Sequence, residues 1–200
     1  MKKKHYRIMW EIKHNIKDSF KLAKSLCENY HYSRTVPPSK HYFLVYEESE
    51  LVGCLTFGTG ANPYMNTHLK VQNGEALELT RVCFSKHKNY ISFYFKKCIQ
   101  ILKSYGIKII FSYSDLRQSH FGTLYKAMNF QCMGEKKLKG VEIWNETKNR
   151  WEHQRNYWKK YKARENQELN WDKWVELNNF KTRAQSNKIL WLYDLERRCK

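Results

Sequence analysis

The chain has 200 residues, and its 37 Lys and Arg residues against 19 Asp and Glu residues give a formal net charge of +18. It is 42% hydrophobic and 16% aromatic, which is enough to bury a core and excludes a disordered body. No run reaches the roughly 20 apolar residues that cross a bilayer, so no membrane association is expected.

The first residues, Met1 to Tyr6, are basic but lead into no apolar segment or cleavage site, so we do not expect secretion. The cysteines are spaced singly without a Cys-x-x-Cys pair, which argues against structural zinc. This usage predicts reduced and mostly buried thiols, as in a cytoplasm. The six are Cys27, Cys54, Cys83, Cys98, Cys132 and Cys199.

The first half of the chain predicts a strand, a helix and a hairpin. Residues 6–12 alternate as in a strand, and residues 13–30 place apolar side chains at helical spacing. After Pro37-Pro38, residues 41–57 form two apolar runs around a polar turn, which indicates a β-hairpin. Residues 58–75 then form a long irregular loop, and loops of this length in a compact domain are usually functional.

The second half of this domain alternates strands and helices. Strands are predicted at 76–84, 107–113 and 130–133, and helices at 90–104 and 119–128. This order predicts the α/β class, with a mixed central sheet flanked by helices. One domain over residues 1–135 follows.

Beyond it lies a basic, Trp-rich, helical C-terminal extension, residues 136–200. Residues 149–177 interleave aromatic side chains with lysines, and 189–194 read as a last strand that packs back on the core. The aromatic residues either form a helical face packed on the core or a basic surface that stacks unpaired bases. The residues assigned to nucleic-acid binding are Trp158, Lys159, Lys160 and Arg164.

The excess of positive charge indicates a polyanionic partner, because it far exceeds what solubility needs. A biased genome composition is the alternative explanation.

Three polar clusters carry the candidate chemistry: residues 29–34, residues 78–84 and residues 112–125. Ligands in open α/β sheets bind at the carboxyl ends of strands, which is where Ser112, Asp115 and His120 are expected. Arg81 lies inside an apolar strand, so its charge must be paired or must face a polar cavity.

Ordinary structural roles remain open for the other candidates. Asp115 could cap a turn. His31 could be a surface histidine, and Tyr125 a half-buried core residue.

In that order, these clusters resemble the bacteriophage Mom family. The resemblance rests on Tyr30-His-Tyr-Ser-Arg34, Glu78-Leu-Thr-Arg81, and Ser112-Tyr-Ser-Asp115 followed by His120-Phe-Gly-Thr-Leu-Tyr125. The family is similar to the GNAT N-acyltransferases, and it converts adenine in phage DNA to N6-carbamoylmethyladenine. The resemblance implies an enzyme that modifies DNA adenine in the host cytoplasm and protects the DNA from restriction.

The resemblance also implies the active-site set, which is His31, Tyr32, Arg81, Asp115 and Tyr125. Our hypothesis is that Asp115 orients the amine or accepts its proton, and that Tyr125 protonates the leaving group, as a Tyr on this helix does in many GNAT enzymes. Arg81 would hold an anionic part of the donor, and His31 and Tyr32 would close the site. Iron has been proposed for the family, so His31, Asp115 and Tyr125 are candidate ligands.

The donor site departs from ordinary GNAT enzymes, which hold the pyrophosphate of CoA in a glycine-rich turn. The corresponding stretch, residues 85–92, contains no glycine. An acyl-CoA-type donor would therefore depend on Ser85, Lys86, Lys88 and Asn89. Two other functions remain open, an acyltransferase for a protein or small-molecule amine and a non-catalytic DNA-binding accessory protein.

Overall fold

A computed structural model describes residues 9–86, 90–165 and 167–196. These residues divide into two compact units. The first runs to Ser114, takes up Gly122–Gly134 and resumes at Leu190, whereas the second comprises Asp115–Phe121 and Glu135–Ile189.

The first unit is built on a seven-stranded mixed sheet of order β1-β2-β3-β4-β5-β10-β6. The pairs β1–β2, β2–β3 and β3–β4 are antiparallel, whereas β4 and β5 are parallel. The predicted α/β class with a mixed sheet is therefore confirmed. The strands are β1 (Trp10–His14), β2 (His41–Glu47), β3 (Glu50–Gly58), β4 (Ala76–Phe84), β5 (Ile109–Asp115), β6 (Gln131–Lys136) and β10 (Lys188–Asp194).

Helices cover the sheet with apolar faces. The two long ones are α1 (Ser19–Tyr30) and α3 (Ile91–Ser104), and the two short ones are α2 (Met65–His68) and α4 (Thr123–Ala127). On α3, the buried residues recur at three- and four-residue spacing, which gives the helix one core-facing stripe. They are Ile91, Tyr94, Phe95, Cys98, Ile99 and Leu102.

The first helix begins later than predicted. Lys13 and His14 continue β1, and Asn15 and Asp18 adopt positive φ angles of 47° and 63°. Left-handed backbone cannot continue a right-handed helix, so α1 begins at Ser19. The hairpin of 41–57 is confirmed, and its turn residues Glu48 and Ser49 have the positive φ angles that two-residue hairpin turns require.

The predicted helix over 119–128 is wrong in its first half. A 3-10 turn at Leu116–Gln118 is followed by left-handed residues at Ser119 and Gly122, and α4 begins only at Thr123. A short α2 also interrupts the loop predicted as irregular over 58–75.

The second unit holds a three-stranded sheet of order β8-β7-β9 in addition to the expected helices. Its strands are β7 (Val141–Asn145), β8 (Arg150–His153) and β9 (Thr182–Ala184), and its helices are α5 (Trp158–Lys162) and α6 (Trp171–Leu177). Ile143, Tyr157 and Trp174 form its buried core, with Trp171 and Phe180 among the residues packed around it. Most of the aromatic side chains of this segment therefore serve its own core.

Two further features bear on the sequence analysis. Within the described ranges, no helix is long and apolar enough to cross a membrane. The described cysteines are free thiols, of which Cys27, Cys54, Cys83 and Cys98 are buried and Cys132 is exposed. Cys199 lies outside the described residues.

Candidate active site

The site of interest in the first unit starts where β4 and β5 stop pairing. Their parallel pairing runs from Ala76 and Ile109 to Glu78 and Phe111, although both strands continue beyond these residues. At this point the Ser112 hydroxyl donates a hydrogen bond to the Leu79 carbonyl over 2.8 Å. Beyond it, the Thr80 carbonyl accepts from Arg81 and the Tyr113 carbonyl accepts from Tyr125, so side chains take the place of backbone pairing.

β4 contains a β-bulge next to Leu79, close to the point where its pairing with β5 ends. The register between β3 and β4 shifts so that Thr56 faces Arg81 and Phe57 faces Leu79, which leaves Thr80 as the extra residue. The Thr80 hydroxyl donates to the Thr56 carbonyl over 3.0 Å and lies 2.7 Å from the Thr56 hydroxyl. A bulge re-aims the side chains that follow it, so it decides the direction in which Arg81 leaves the strand.

Tyr125, on α4, lies beside Ser112, where β4 and β5 stop pairing. Its hydroxyl lies 2.9 Å from the Ser112 hydroxyl and 3.3 Å from the Tyr113 carbonyl. Its ring stacks on Trp191 at 5.5 Å with an interplanar angle of 15°. Trp191 is fixed in turn, because its indole N–H donates to the Ser114 hydroxyl over 2.9 Å.

The pKa of Tyr125 is raised to about 12, and burial is the largest cause. The hydrogen bond with Ser112 and the charge of Arg81 oppose this increase in pKa, whereas Tyr32 and Glu78 contribute to it. The hydroxyl therefore stays protonated at neutral pH and is suited to donate a proton.

Arg81 fastens the loop after α1 to the sheet. Its Nε donates to the Thr35 carbonyl over 2.6 Å, its Nη2 to the Thr35 hydroxyl over 3.1 Å and its Nη1 to the Thr80 carbonyl over 2.5 Å. The charge that the sequence placed inside an apolar strand is thus hydrogen-bonded. The same contacts position the predicted residues His31 and Tyr32 on the loop.

Those two residues lie side by side. The rings of His31 and Tyr32 are 4.4 Å apart, and His31 Nδ1 lies 2.8 Å from the Ser33 hydroxyl. Tyr32 is 51% exposed.

Glu78 is the residue that the sequence analysis quoted but did not assign to the site. It lies on β4 where the parallel pairing with β5 ends, and it is half-buried. The pKa of Tyr113 is raised mainly by the burial of Tyr113 and, second, by the charge of Glu78. A Cβ at Gly60 would lie 2.5 Å from its Oε2, so a glycine there leaves space for the carboxylate. The signal was the one used for Arg81, a charge inside an apolar strand.

Asp115 belongs to the second unit and has local partners there. Its Oδ1 accepts hydrogen bonds from the Ser186 hydroxyl over 2.5 Å and from the Arg117 N–H over 3.0 Å. The second bond caps the 3-10 turn, which is the structural role that the sequence left open. Its catalytic role stays a prediction.

The residues predicted to hold the donor are only partly described. The Ser85 hydroxyl donates to the Val52 carbonyl, and Lys86 forms an exposed ion pair of 2.6 Å with Glu50. Lys88 and Asn89 lie outside the described residues. Among the described residues, no side chain caps the N-terminus of α3.

The iron site predicted on His31, Asp115 and Tyr125 is not supported. Among the described residues, no three His, Cys, Asp or Glu side chains converge as a metal site. Each of the three side chains also has a hydrogen-bond partner: His31 pairs with Ser33, Asp115 with Ser186, and Tyr125 with Ser112.

The residues predicted to bind nucleic acid differ in availability within the second unit. Lys159 and Lys160 are exposed, and Trp158 is 39% exposed. Arg164 instead lies over the Tyr161 ring at 4.0 Å and donates to the carbonyls of Tyr161 and Gln167. Its guanidinium is a structural element of this unit.

Comparisons with known proteins agree with this architecture. The family model described as the Mom protein family matches residues 14–200. No curated protein is significantly similar in sequence.

Solved structures with the same fold are N-acetyltransferases of distant sequence. The ribosomal-protein-S18-alanine N-acetyltransferase from Escherichia coli superposes with a TM-score of 0.54 at 9% identity, covering 96% of this chain and 97% of the other. A GNAT-family acetyltransferase from Desulfovibrio desulfuricans gives 0.55 at 9% identity, covering 94% and 99%. A Salmonella typhimurium structure assigned as an acetyltransferase, with its cofactor acetyl-CoA, gives 0.55 at 6% identity, covering 98% of both chains. These likenesses show a GNAT-type fold.

Proposed function

Since the chain belongs to the Mom protein family, we propose that it is a GNAT-type transferase that attaches an acyl-derived group to the N6 amine of adenine in DNA. The direct product of acyl transfer is an N6-acyladenine, in which N6 is bonded to a carbonyl carbon. An adenine of the N6-carbamoylmethyl type, which protects phage DNA from restriction, carries a CH2 group on N6 and would form by rearrangement of a transferred aminoacyl group. The observation that carries the proposal is the Tyr125 hydroxyl, held 2.9 Å from Ser112 at the unpaired ends of β4 and β5.

An acyl thioester such as acyl-CoA is the proposed donor. The acetyl-CoA bound in the Salmonella structure shows that this fold accommodates such a donor. In this chain the donor would lie between β4 and β5, with its phosphates at the N-terminus of α3. The missing glycine-rich turn is then replaced by a helix start without a described side-chain cap.

The chemistry divides between two side chains of the first unit. The amine of adenine is conjugated into the purine ring and is a poor nucleophile, so the site must position it and accept its proton. We assign the protonation of the leaving thiolate to Tyr125, because burial keeps its hydroxyl protonated. We assign acceptance of the amine proton to Glu78, whose charge contributes to the raised pKa of Tyr125.

DNA as the acceptor is supported by the charge of +18, since acyl transfer to a small molecule does not require such a field. The amine must also be reached, which requires a single-stranded substrate or a base flipped from the duplex. The fold alone would equally allow a protein or small-molecule amine.

The test is expression of the full chain in cells that carry a plasmid, followed by digestion of the DNA and nucleoside mass spectrometry. We expect a new adenine-derived nucleoside, reduced about 100-fold or more by Tyr125→Phe, which removes the acid but keeps the ring. Tyr105→Phe is the matched control, because Tyr105 is 59% exposed and caps the other end of α3. The absence of any new adenine-derived nucleoside in DNA from cells that express the wild-type chain would contradict the proposal.

A further inference from the structure

α5 presents an exposed indole beside several cations. Trp158 is 39% exposed, and Lys159, Lys160 and Lys162 on the same helix are exposed. The preceding turn adds the exposed Arg155, and neither the turn nor α5 contains an acidic residue. Within the part of the chain that the structure describes, no ion pair engages any of these four cations. Lys160 also lies over the Tyr157 ring, 6.0 Å from its centroid.

The indole of Trp158 is held in place before any ligand arrives. It stacks on Trp171 with ring centroids 5.5 Å apart and an interplanar angle of 25°, and Tyr161 meets it edge-on at 5.9 Å. Tyr161 is itself fixed, because its hydroxyl donates to the Leu169 carbonyl and Arg164 covers its ring. A ligand that stacks on Trp158 thus loses little free energy to ordering the side chain.

We propose that this cationic tryptophan surface, formed by Trp158 with Arg155, Lys159, Lys160 and Lys162, binds an unpaired stretch of polynucleotide. An unpaired base stacks on the indole, and the neighbouring phosphates contact the cations. Every base has a π face, so this combination binds single strands without strong sequence preference. A duplex offers its phosphates to the lysines but keeps its bases stacked inside.

The choice of a polynucleotide as partner rests on the proposed function. A transferase that acts on the amine of adenine needs its target base unpaired. A second surface that prefers unpaired strands retains the DNA in the state in which that base is accessible.

The test measures binding of the full chain to a fluorescein-labelled oligothymidylate and to a labelled duplex of equal length by anisotropy. Trp158→Ala should weaken single-strand binding about 5- to 150-fold, the range expected for one base stacked on an aromatic ring. Duplex binding should change less than about twofold, and Trp158→Phe should retain most of the single-strand affinity because it keeps an aromatic face.

The lysines are tested through salt dependence. Lys159→Ala with Lys160→Ala should lower the slope of log affinity against log salt on single strands by about 0.7 for each lost phosphate contact. Lys136→Ala with Lys137→Ala is the matched control, because it removes two exposed lysines from the same unit. The control should leave the slope unchanged.

Three results would overturn the proposal. They are an unchanged single-strand affinity of folded Trp158→Ala, an equal loss on both forms of DNA, and an equal change of slope in the two double-lysine variants. The nucleoside assay separates this inference from the proposed function. If Trp158→Ala loses single-strand binding but the wild-type chain forms no modified adenine, the surface is upheld and the activity is refuted. Modified adenine, together with binding that is unchanged in Trp158→Ala and in the Lys159→Ala, Lys160→Ala variant, would support the activity and refute the surface.

Discussion

At the scale of single residues, the proposed reaction needs a carboxylate that accepts the proton of the amine, and the candidates Glu78 and Asp115 differ in their surroundings. Glu78 acts electrostatically on Tyr125 and Tyr113, whereas the Oδ1 of Asp115 accepts two hydrogen bonds within the second unit. Glu78→Gln should therefore lower kcat about 100-fold or more, the usual effect of losing a general base. Asp115→Asn keeps an oxygen for both hydrogen bonds and should stay within about tenfold of the wild type.

The measurement is the initial rate of adenine modification in purified DNA, with the melting temperature of each variant as the control for folding. A large loss in Asp115→Asn together with an active Glu78→Gln would contradict the role proposed for Glu78. That outcome would leave the fold assignment and the role of Tyr125 unaffected.

A second residue-scale prediction concerns a pair of stacked histidines on β1 and β2. His14 Nε2 lies 3.0 Å from His41 Nδ1, and the rings are 5.2 Å apart. Burial, with His14 and Lys40 adding to it, lowers the pKa of His41 from 6.5 to about 4. The unfolded chain therefore binds more protons between these two values.

Stability from this pair should be fully present above pH 6.5 and should be lost as the pH falls toward 4, by about 3 kcal/mol at most. Urea unfolding at several pH values measures it. His41→Phe should flatten this part of the profile, because a phenyl ring can stack on Phe43 without titrating. His68→Gln, at an exposed position, should leave the profile unchanged, and an equal flattening in both variants would refute the assignment.

At the scale of elements, Gly122 sets the position of α4. It has a φ of 85°, and a Cβ there would overlap with the ring of Trp191. Gly122→Ala should therefore destabilise the fold by about 2–4 kcal/mol, of which roughly 1 kcal/mol is the cost of the left-handed backbone. It should also reduce adenine modification, because Trp191 is the ring on which Tyr125 stacks.

The matched control is Gly106→Ala. Gly106 has a φ of 77°, and a Cβ there would meet nothing within 4 Å. It should show only the backbone cost. Equal unfolding free energies for the two variants would show that the contact with Trp191 is unimportant.

The same elements show what sequence patterns can and cannot predict. The strand over 76–84 and the hairpin of 41–57 follow from local alternation of apolar residues, so both were predictable. The start of α4 was not, because it depends on a ring that lies 69 positions further along the chain (191 − 122). In the site, Arg81 and Tyr125 were found through a buried charge and a family pattern, whereas their partners Thr35 and Ser112 depend on tertiary contacts.

At the scale of the whole molecule, the net charge of +18 makes duplex binding an electrostatic process. Each phosphate that a cation neutralises releases counterions, so log affinity should fall with log salt by about 0.9 per contact. We expect micromolar or tighter binding to any duplex at low salt, with little sequence preference, because phosphate contacts carry no sequence information. Anisotropy titrations between about 0.05 and 0.2 M salt, repeated with a second duplex of scrambled sequence, measure both properties. An affinity independent of salt would mean that the charge does not serve DNA binding. Acyl transfer to a protein or small-molecule amine would then become the better account of this fold.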